Sequence, residues 1–314
     1  MEIVDHRGLS LAHITTAELA DRPWLHTDSC IDLVRITAPG AESWDELAEA
    51  GFVRKPNMLT WKAELGRSEE EFLLSRLSPK GRRFIRKCQR QAESELELSV
   101  HDQLDPELLD PFLDLYRQQI DTMRHGVAIA VQQRERILQG GEKYFGIFAR
   151  QEGELVGGCI VRECPEQRAI RIRFSAVCPQ WRKVSLSRVL YFAAMHVGRH
   201  RGHQWVTLGD DPNLYGHVVK AGLIDFKVSM GFQCVPSQDF HDPDGIDQAD
   251  LVLALGRLAD PVVVLGYTSS DPEDRSLRAY VLSDAPTSLQ PFEIPFLGAP
   301  VRTRIRTVPR SCPV

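Results

Sequence analysis

The sequence predicts an α+β (mixed α/β) fold, with a central, mostly antiparallel sheet flanked by helices and a β-rich C-terminal extension. Three observations predict it. "KYFGIFARQEGELVGGCIVRE" holds two apolar runs around a Glu152-Gly153 turn, and "RAIRIRFSAV" (168–177) follows as a third strand, so an antiparallel meander is expected. The helical stretch "VSLSRVLYFAAMHVGRH" (184–200) then leads into "WVTLG" (205–209), which adds a strand through a helix crossover. After residue 248, "ADLVLALG", "PVVVLGYT", "SLRAYVLSD" and "VRTRIRTV" read as strands, with proline gathering at the end.

The other elements follow in chain order. Residues 44–65 read as a helix that stops at Gly51, then a strand. "SEEEFLLSRLS" (68–78) reads as a short helix, with Ser68 and Glu71 spaced as a capping box. Pro79-Lys80-Gly81 should break it, and a basic helix should run from about Gly81 to Ala92, ahead of a strand "LELSVHD". Asp105-Pro106 caps a helix whose apolar positions Leu108, Leu109, Phe112, Leu113, Leu115, Tyr116 and Ile120 recur at helical spacing. Another helix is expected near 129–138, and a short one around Leu214–Lys220. "GLIDFKVSMGF" (222–232) reads as a strand, with Ile224, Phe226, Val228 and Met230 on one face and Asp225, Lys227 and Ser229 on the other.

A chain of 314 residues suits about two domains and a sizeable core, and 43% apolar with 26% charged residues is ordinary for a globular protein. No apolar run is long enough to span a bilayer. The acidic N-terminus lacks the pattern of a signal peptide, so a cytoplasmic location is expected. The seven cysteines are scattered with no C-x-x-C pair; small buried hydrophobes in a reducing compartment are expected, with no metal site. A net charge of -5 excludes a blanket attraction for nucleic acid. Locally, "RLSPKGRRFIRKCQR" (76–90) carries seven basic residues and no acidic one.

The element order from Leu96 to Val235 resembles the GNAT acyltransferase fold, and more narrowly its FemABX-type branch. Three pieces carry the resemblance: the basic helix "LSPKGRRFIRKCQRQ", the helix-strand "VLYFAAMHVGRHRGHQWVTLGDD", and the Phe-Lys followed by Gly-Phe in "GLIDFKVSMGF". It covers about residues 70–237. The organisation it implies is a degenerate GNAT-like unit over 1–68, a full acyltransferase domain over 69–240 and the extension over 241–314. The resemblance implies a helix N-terminus that cradles a pyrophosphate. Acetyl-CoA users place glycines there; "RKVSLS" has Ser185 and Ser187 instead. Fem-type ligases take aminoacyl-tRNA and need no such loop.

The resemblance therefore implies transfer of an aminoacyl group from aminoacyl-tRNA to a small-molecule or peptide amine, with no resident cofactor. Transfer from acyl-CoA as co-substrate is the alternative, and a catalytically silent binding module is a third reading. Lys227 is then a cation beside the attacked ester, offsetting oxyanion charge, against a plain reading as a solvated outer-face residue. Phe226 packs beneath it or in the core. Asp210 is the candidate base or amine-orienting group, with Tyr215 and His217 near it, against a helix-cap reading of "DDPN". Arg82, Arg83, Arg86 and Lys87 form a phosphate-contact strip or a solvated face. Arg173, Arg182, Ser185 and Ser187 complete the candidate substrate-binding set. Arg302, Arg304 and Arg306 alternate on a tail strand, suited to protecting a sheet edge.

Overall fold

The computed structural model describes residues 1–6, 8–123, 126–214, 221–240, 244–256, 258, 261–269, 271–283, 285–294, 297 and 299–305. The chain opens with an antiparallel hairpin, β1 (Glu2–His6) and β2 (Leu9–His13), and β3 (Leu33–Thr37) lies parallel to β2. The helix expected before Gly51 is α1 (Trp44–Glu49), buried through Trp44 and Leu47. Two strands follow it rather than one, β4 (Val53–Pro56) and β5 (Met58–Glu64). Next come α2 (Glu69–Arg76), α3 (Pro79–Glu95), β6 (Glu97–His101) and α4 (Pro106–Asp121). The helix expected near 129–138 is two short ones, α5 (Ile129–Gln132) and α6 (Arg134–Leu138). The meander is β7 (Tyr144–Gln151), β8 (Glu154–Cys164) and β9 (Ala169–Val177). After it come α7 (Pro179–Arg182), α8 (Leu186–His200), β10 (Trp205–Pro212), α9 (Ala221–Ser229) and β11 (Gln233–Pro236). The tail supplies β12 (Asp247–Val252), β13 (Val262–Tyr267), β14 (Leu277–Ser283) and β15 (Arg302–Ile305).

These elements form two compact units. The first holds Met1–Thr60, Asp210–Val228 and Cys234–Val314; the second holds Trp61–Gly209 and Ser229–Gln233. The units do not follow the expected divisions after residues 68 and 240. The N-terminal segment and the extension fold together, because β12 enters the five-stranded sheet β1-β2-β3-β12-β4 between β3 and β4. A three-stranded sheet β13-β14-β15 packs on it through Leu11, Leu33, Val53, Val262, Val264 and Leu282. β15 lies at one edge of that sheet.

Three buried charges of the five-stranded sheet meet at one point. Arg35 donates twice to Asp250, at 2.7 and 2.8 Å, and Lys55 Nζ lies 3.2 Å from the same carboxylate and donates to Gln248 Oε1 at 3.1 Å. Asp250 faces Arg35 across the ladder, and Gln248 faces Lys55. Burial pushes the Lys55 ammonium down to about 8. Burial alone would raise Asp250, but Lys55 and Arg35 hold it below the usual carboxylate range.

The second unit is built on the seven-stranded sheet β11-β5-β10-β9-β8-β7-β6, antiparallel from β6 to β9, with β10 parallel to β9. The meander turn has positive φ at Glu152 (52°) and Gly153 (86°), the backbone that a two-residue hairpin needs. α4 covers one face, packing Phe112, Leu113 and Tyr116 against Phe148, Ile160 and Phe174. Its Asp105 cap accepts from the Leu108 N–H at 2.9 Å, as expected. On α2 only half of the capping box forms: Ser68 accepts from the Glu71 N–H, while the Glu71 carboxylate reaches back to the Arg67 N–H instead.

Two sequence expectations are corrected. Pro79-Lys80-Gly81 does not separate the helices; it is the first turn of α3, with Ser78 accepting from the Gly81 N–H, because proline at the first helical position gives up an N–H that has no partner there. "GLIDFKVSMGF" is not a strand. Ile224, Lys227 and Met230 are buried, a spacing of three that marks the inner face of α9. A short apolar run fits both periods, so alternation alone misassigned it. Gly231, at φ 85°, ends the helix and admits the Phe72 ring, which a Cβ would meet at 3.0 Å.

Among the cysteines, Cys88, Cys159, Cys164, Cys178 and Cys234 are free. Cys30 is disulfide-bonded, so the expectation of reduced thiols throughout fails there.

Candidate functional site

In the first unit, adjacent residues of β10 aim their carboxylates at different partners, because successive side chains on a strand alternate faces. Asp211 accepts from the ammonium of Lys227. Lys227 is 6% exposed, so the solvated outer-face reading of this residue is excluded. Its place on the inner face of α9, beside the buried thiol of Cys234, follows from helical rather than strand spacing. Asp210 accepts from the Thr60 hydroxyl, which lies 3.1 Å from Ser237 Oγ; Thr60 and Ser237 are fully buried. Phe226 is half-buried on α9. Asp210, Asp211 and Pro212 belong to β10, so they do not cap a helix themselves. Asn213 next to them is fully buried and ties the strand down, donating to the carbonyls of Pro56 (3.0 Å) and Leu265 (2.6 Å).

In the second unit, the basic helix is α3, and its charges divide. Arg82 is half-buried and donates to the Leu77 carbonyl at 2.8 Å. Arg86 pairs with Glu70 of α2, a surface contact of little energetic weight. Arg83, Lys87 and Arg90 are exposed, with no ion pair among the described residues. Phe84 is exposed too, at 45%, with the Arg188 guanidinium 5.7 Å from its ring. Arg188 also donates to Ser229 Oγ at 3.0 Å.

Ser185 sits at the N-cap of α8 in the left-handed region, φ 61° and ψ 36°, and Ser187 lies in the first turn. The backbone there is one glycine adopts at no cost, yet a side chain occupies it. Arg182 is exposed and donates through Nε to the Val177 carbonyl at 2.8 Å. Arg173 is half-buried on β9. Burial first, then the neighbouring Arg171, hold its guanidinium below the usual arginine range.

Residues 79–216 match the family described as the acetyltransferase (GNAT) domain. Over that span the chain is similar to a GNAT domain. No curated protein matches the chain. Among solved structures it is similar to FemX, at 12% identity and TM-score 0.45, covering 78% of this chain and 81% of that one. It is also similar to L-PGS from Bacillus licheniformis, at 14% identity and TM-score 0.41, covering 69% and 67%. A tandem GNAT protein from the clavulanic acid biosynthesis pathway aligns at 16% identity and TM-score 0.38, covering 71% and 64%.

The GNAT domain match includes the basic helix, the Ser185 turn, Asp210 and Asp211, and it stops short of Lys227. Within the first unit the geometry brings Lys227 and Asp211 together. Tyr215 and His217 lie outside the described residues, as do the helix expected at Leu214–Lys220, apart from Leu214 itself, and Arg306. The sequence reading missed Asp211 as the partner of Lys227, and missed Thr60, Ser237, Asn213 and Arg188. Helical spacing would have placed Lys227 inward and prompted a search for its carboxylate; Thr60 and Ser237 had no signal, since only the fold brings them to Asp210. Among the described residues no helix is long and apolar enough to cross a membrane.

Proposed function

We propose that the protein is an N-acyltransferase that moves an aminoacyl group from aminoacyl-tRNA to an amine acceptor. The GNAT domain supports acyl transfer as the chemistry. The observation that carries the choice of donor is the entrance to α8. Where a pyrophosphate cradle wants bare backbone N–H groups, Ser185 and Ser187 put side chains, and Ser185 does so in a conformation that disfavours any residue but glycine. The exposed Arg83, Lys87 and Arg90 on one helix add a strip suited to phosphates of a polyanion.

In this reading the ester is already activated, and the protein positions the partners, takes a proton and steadies the oxyanion. Lys227, held by Asp211, supplies positive charge as the carbonyl oxygen becomes negative. Asp210, oriented by the Thr60 hydroxyl, accepts the proton of the attacking amine and passes it to the ribose oxygen of the tRNA as the acyl–oxygen bond breaks. One observation favours the rival donor, acyl-CoA: the turn at Ser185 keeps the positive φ that a glycine loop would have.

The test offers the full chain radiolabelled aminoacyl-tRNAs and radiolabelled acyl-CoAs with a panel of amines. Label should move to an amine from aminoacyl-tRNA and not from acyl-CoA. Transfer from acyl-CoA alone would overturn the choice of donor, and transfer from neither would leave a silent module.

A further inference from the structure

One lateral row crosses four strands of the second unit on the face that α4 covers. Tyr144 pairs with Arg162, Arg162 with Arg171, and Arg171 with Thr207. Two arginines directly opposite each other in an antiparallel ladder repel, and a sheet with no use for them would not keep them there. A register shift brings up a third. Ile160 pairs with Phe174 and Val161 with Ile172, which leaves Arg173 as the extra residue of a bulge, its guanidinium 5.4 Å from the Phe174 ring. Bulges of this kind re-aim a side chain.

Glu142 is one carboxylate in contact with the row, through Arg162. It is already shared by Arg136, Arg162 and the Tyr144 hydroxyl. Arg173 has no ion pair among the described residues, and burial with its arginine neighbours already strains its charge. Among the described residues, the buried Arg162 Nε and the hydroxyl of Thr207, a residue only 1% exposed, have no hydrogen-bond partner. Buried polar atoms are nearly always satisfied, so an orphan hydroxyl at the end of an arginine row marks a missing acceptor. Gly209, two residues beyond Thr207, leaves room beside the Arg171 stem, which a Cβ would only just touch at 4.0 Å.

We infer that this row is a binding site for an oxyanion, the carboxylate or phosphate group of a small substrate. Guanidinium forks suit both groups, since each offers paired oxygens, and the Thr207 hydroxyl supplies one more donor. The inference rests on residues of the second unit alone and is independent of which donor the protein uses.

Isothermal titration of the full chain with inorganic phosphate and, separately, with acetate at constant ionic strength tests it. Saturable binding of phosphate alone assigns a phosphate ester, of acetate alone a carboxylate, and of both an unselective oxyanion site; each supports the inference. Arg173→Gln should weaken the binding by about tenfold, the usual loss of one charged hydrogen bond. Its unfolding temperature in anion-free buffer should match or exceed that of the parent, because a repulsion has been removed. Thr207→Val keeps the side-chain shape and should weaken binding without loss of stability, so it carries the test if Arg173→Gln fails to fold. No saturable binding of either anion, or binding unchanged in these variants, overturns the inference. Aminoacyl transfer seen alongside that failure would leave the proposed function standing.

Discussion

In the first unit, Arg35, Lys55 and Asp250 sit at the centre of a sheet, and the two cations converge on one carboxylate that Gln248 helps to satisfy. In the second unit, Arg162 and Arg171 face each other with Arg173 added by a bulge, and the Glu142 carboxylate that pairs with Arg162 is shared with Arg136 and the Tyr144 hydroxyl. Both arrangements lie on strands and both remove charge from water. The first is closed: each charge has its partner, and nothing in it calls for a ligand. The second is open: among the described residues Arg173 has no ion pair, and Arg162 Nε and the Thr207 hydroxyl have no hydrogen-bond partner. Matched buried charge specifies register and structure, whereas unmatched half-buried charge points to chemistry supplied from outside.

The comparison breaks most sharply at Asp250. Asp250→Asn leaves Arg35 and Lys55 buried without a counter-charge and should cost roughly 3–5 kcal/mol, read as a shifted denaturant midpoint. A change below 1 kcal/mol, on the order of a surface pair, would mean the triad is not closed in the way described. The matching change in the open cluster, Arg173→Gln, should cost nothing in stability.

The basic face of α3, proposed above to contact phosphates, is the next contrast, since its charges are solvated rather than buried. Replacing Arg83, Lys87 and Arg90 by alanine should weaken tRNA binding and reduce the salt slope by about 1 per residue. An unchanged slope in a gel-shift series would assign those residues to ordinary solvation.

The closed triad also has a signature in pH. Folded Lys55 loses its proton near 8, and the unfolded side chain near its ordinary 10.5. Between those values the unfolded chain holds the extra proton, so stability rises with pH across that window. Lys55→Met should remove the rise; a parent protein whose denaturant midpoint falls steadily from pH 8 to 10 would contradict the burial of a charged lysine.

The smallest effect is expected at Ser185. Ser185→Gly relieves a side chain in the left-handed region and should raise stability by about 1 kcal/mol. It should also allow closer approach of an anion to the α8 backbone, so a thermal shift with acyl-CoA in this variant and not in the parent would sharpen the reading of the loop.

Much of the fold was legible. The meander, its turn, the basic helix, α8 and all four tail strands carry local signals strong enough to stand alone: a two-residue turn, caps, and period-2 or period-3.6 patterning. The joining of β12 to β3 and β4 was not legible, because pairing between residues some 200 positions apart leaves no local mark. Lys227 was singled out on the wrong element, since it lies on α9 and not on a strand. The largely apolar stretch 222–232 is ambiguous between helix and strand, and only burial at 224, 227 and 230 decides it. Asp210 was picked from its place at a strand end, and that place holds, but its Thr60 and Ser237 partners come from distant segments.

The central claim is that Lys227, held by Asp211, assists the opening of an aminoacyl ester. Single-turnover transfer from radiolabelled aminoacyl-tRNA to an accepted amine, comparing the parent with Lys227→Met, tests it directly. The account predicts a rate lower by about 10²–10³ in a variant that stays folded and still binds the charged tRNA, the usual loss on removing one oxyanion-stabilising group. Equal rates in a folded variant would contradict it and return Lys227 to the role of a buried structural pair.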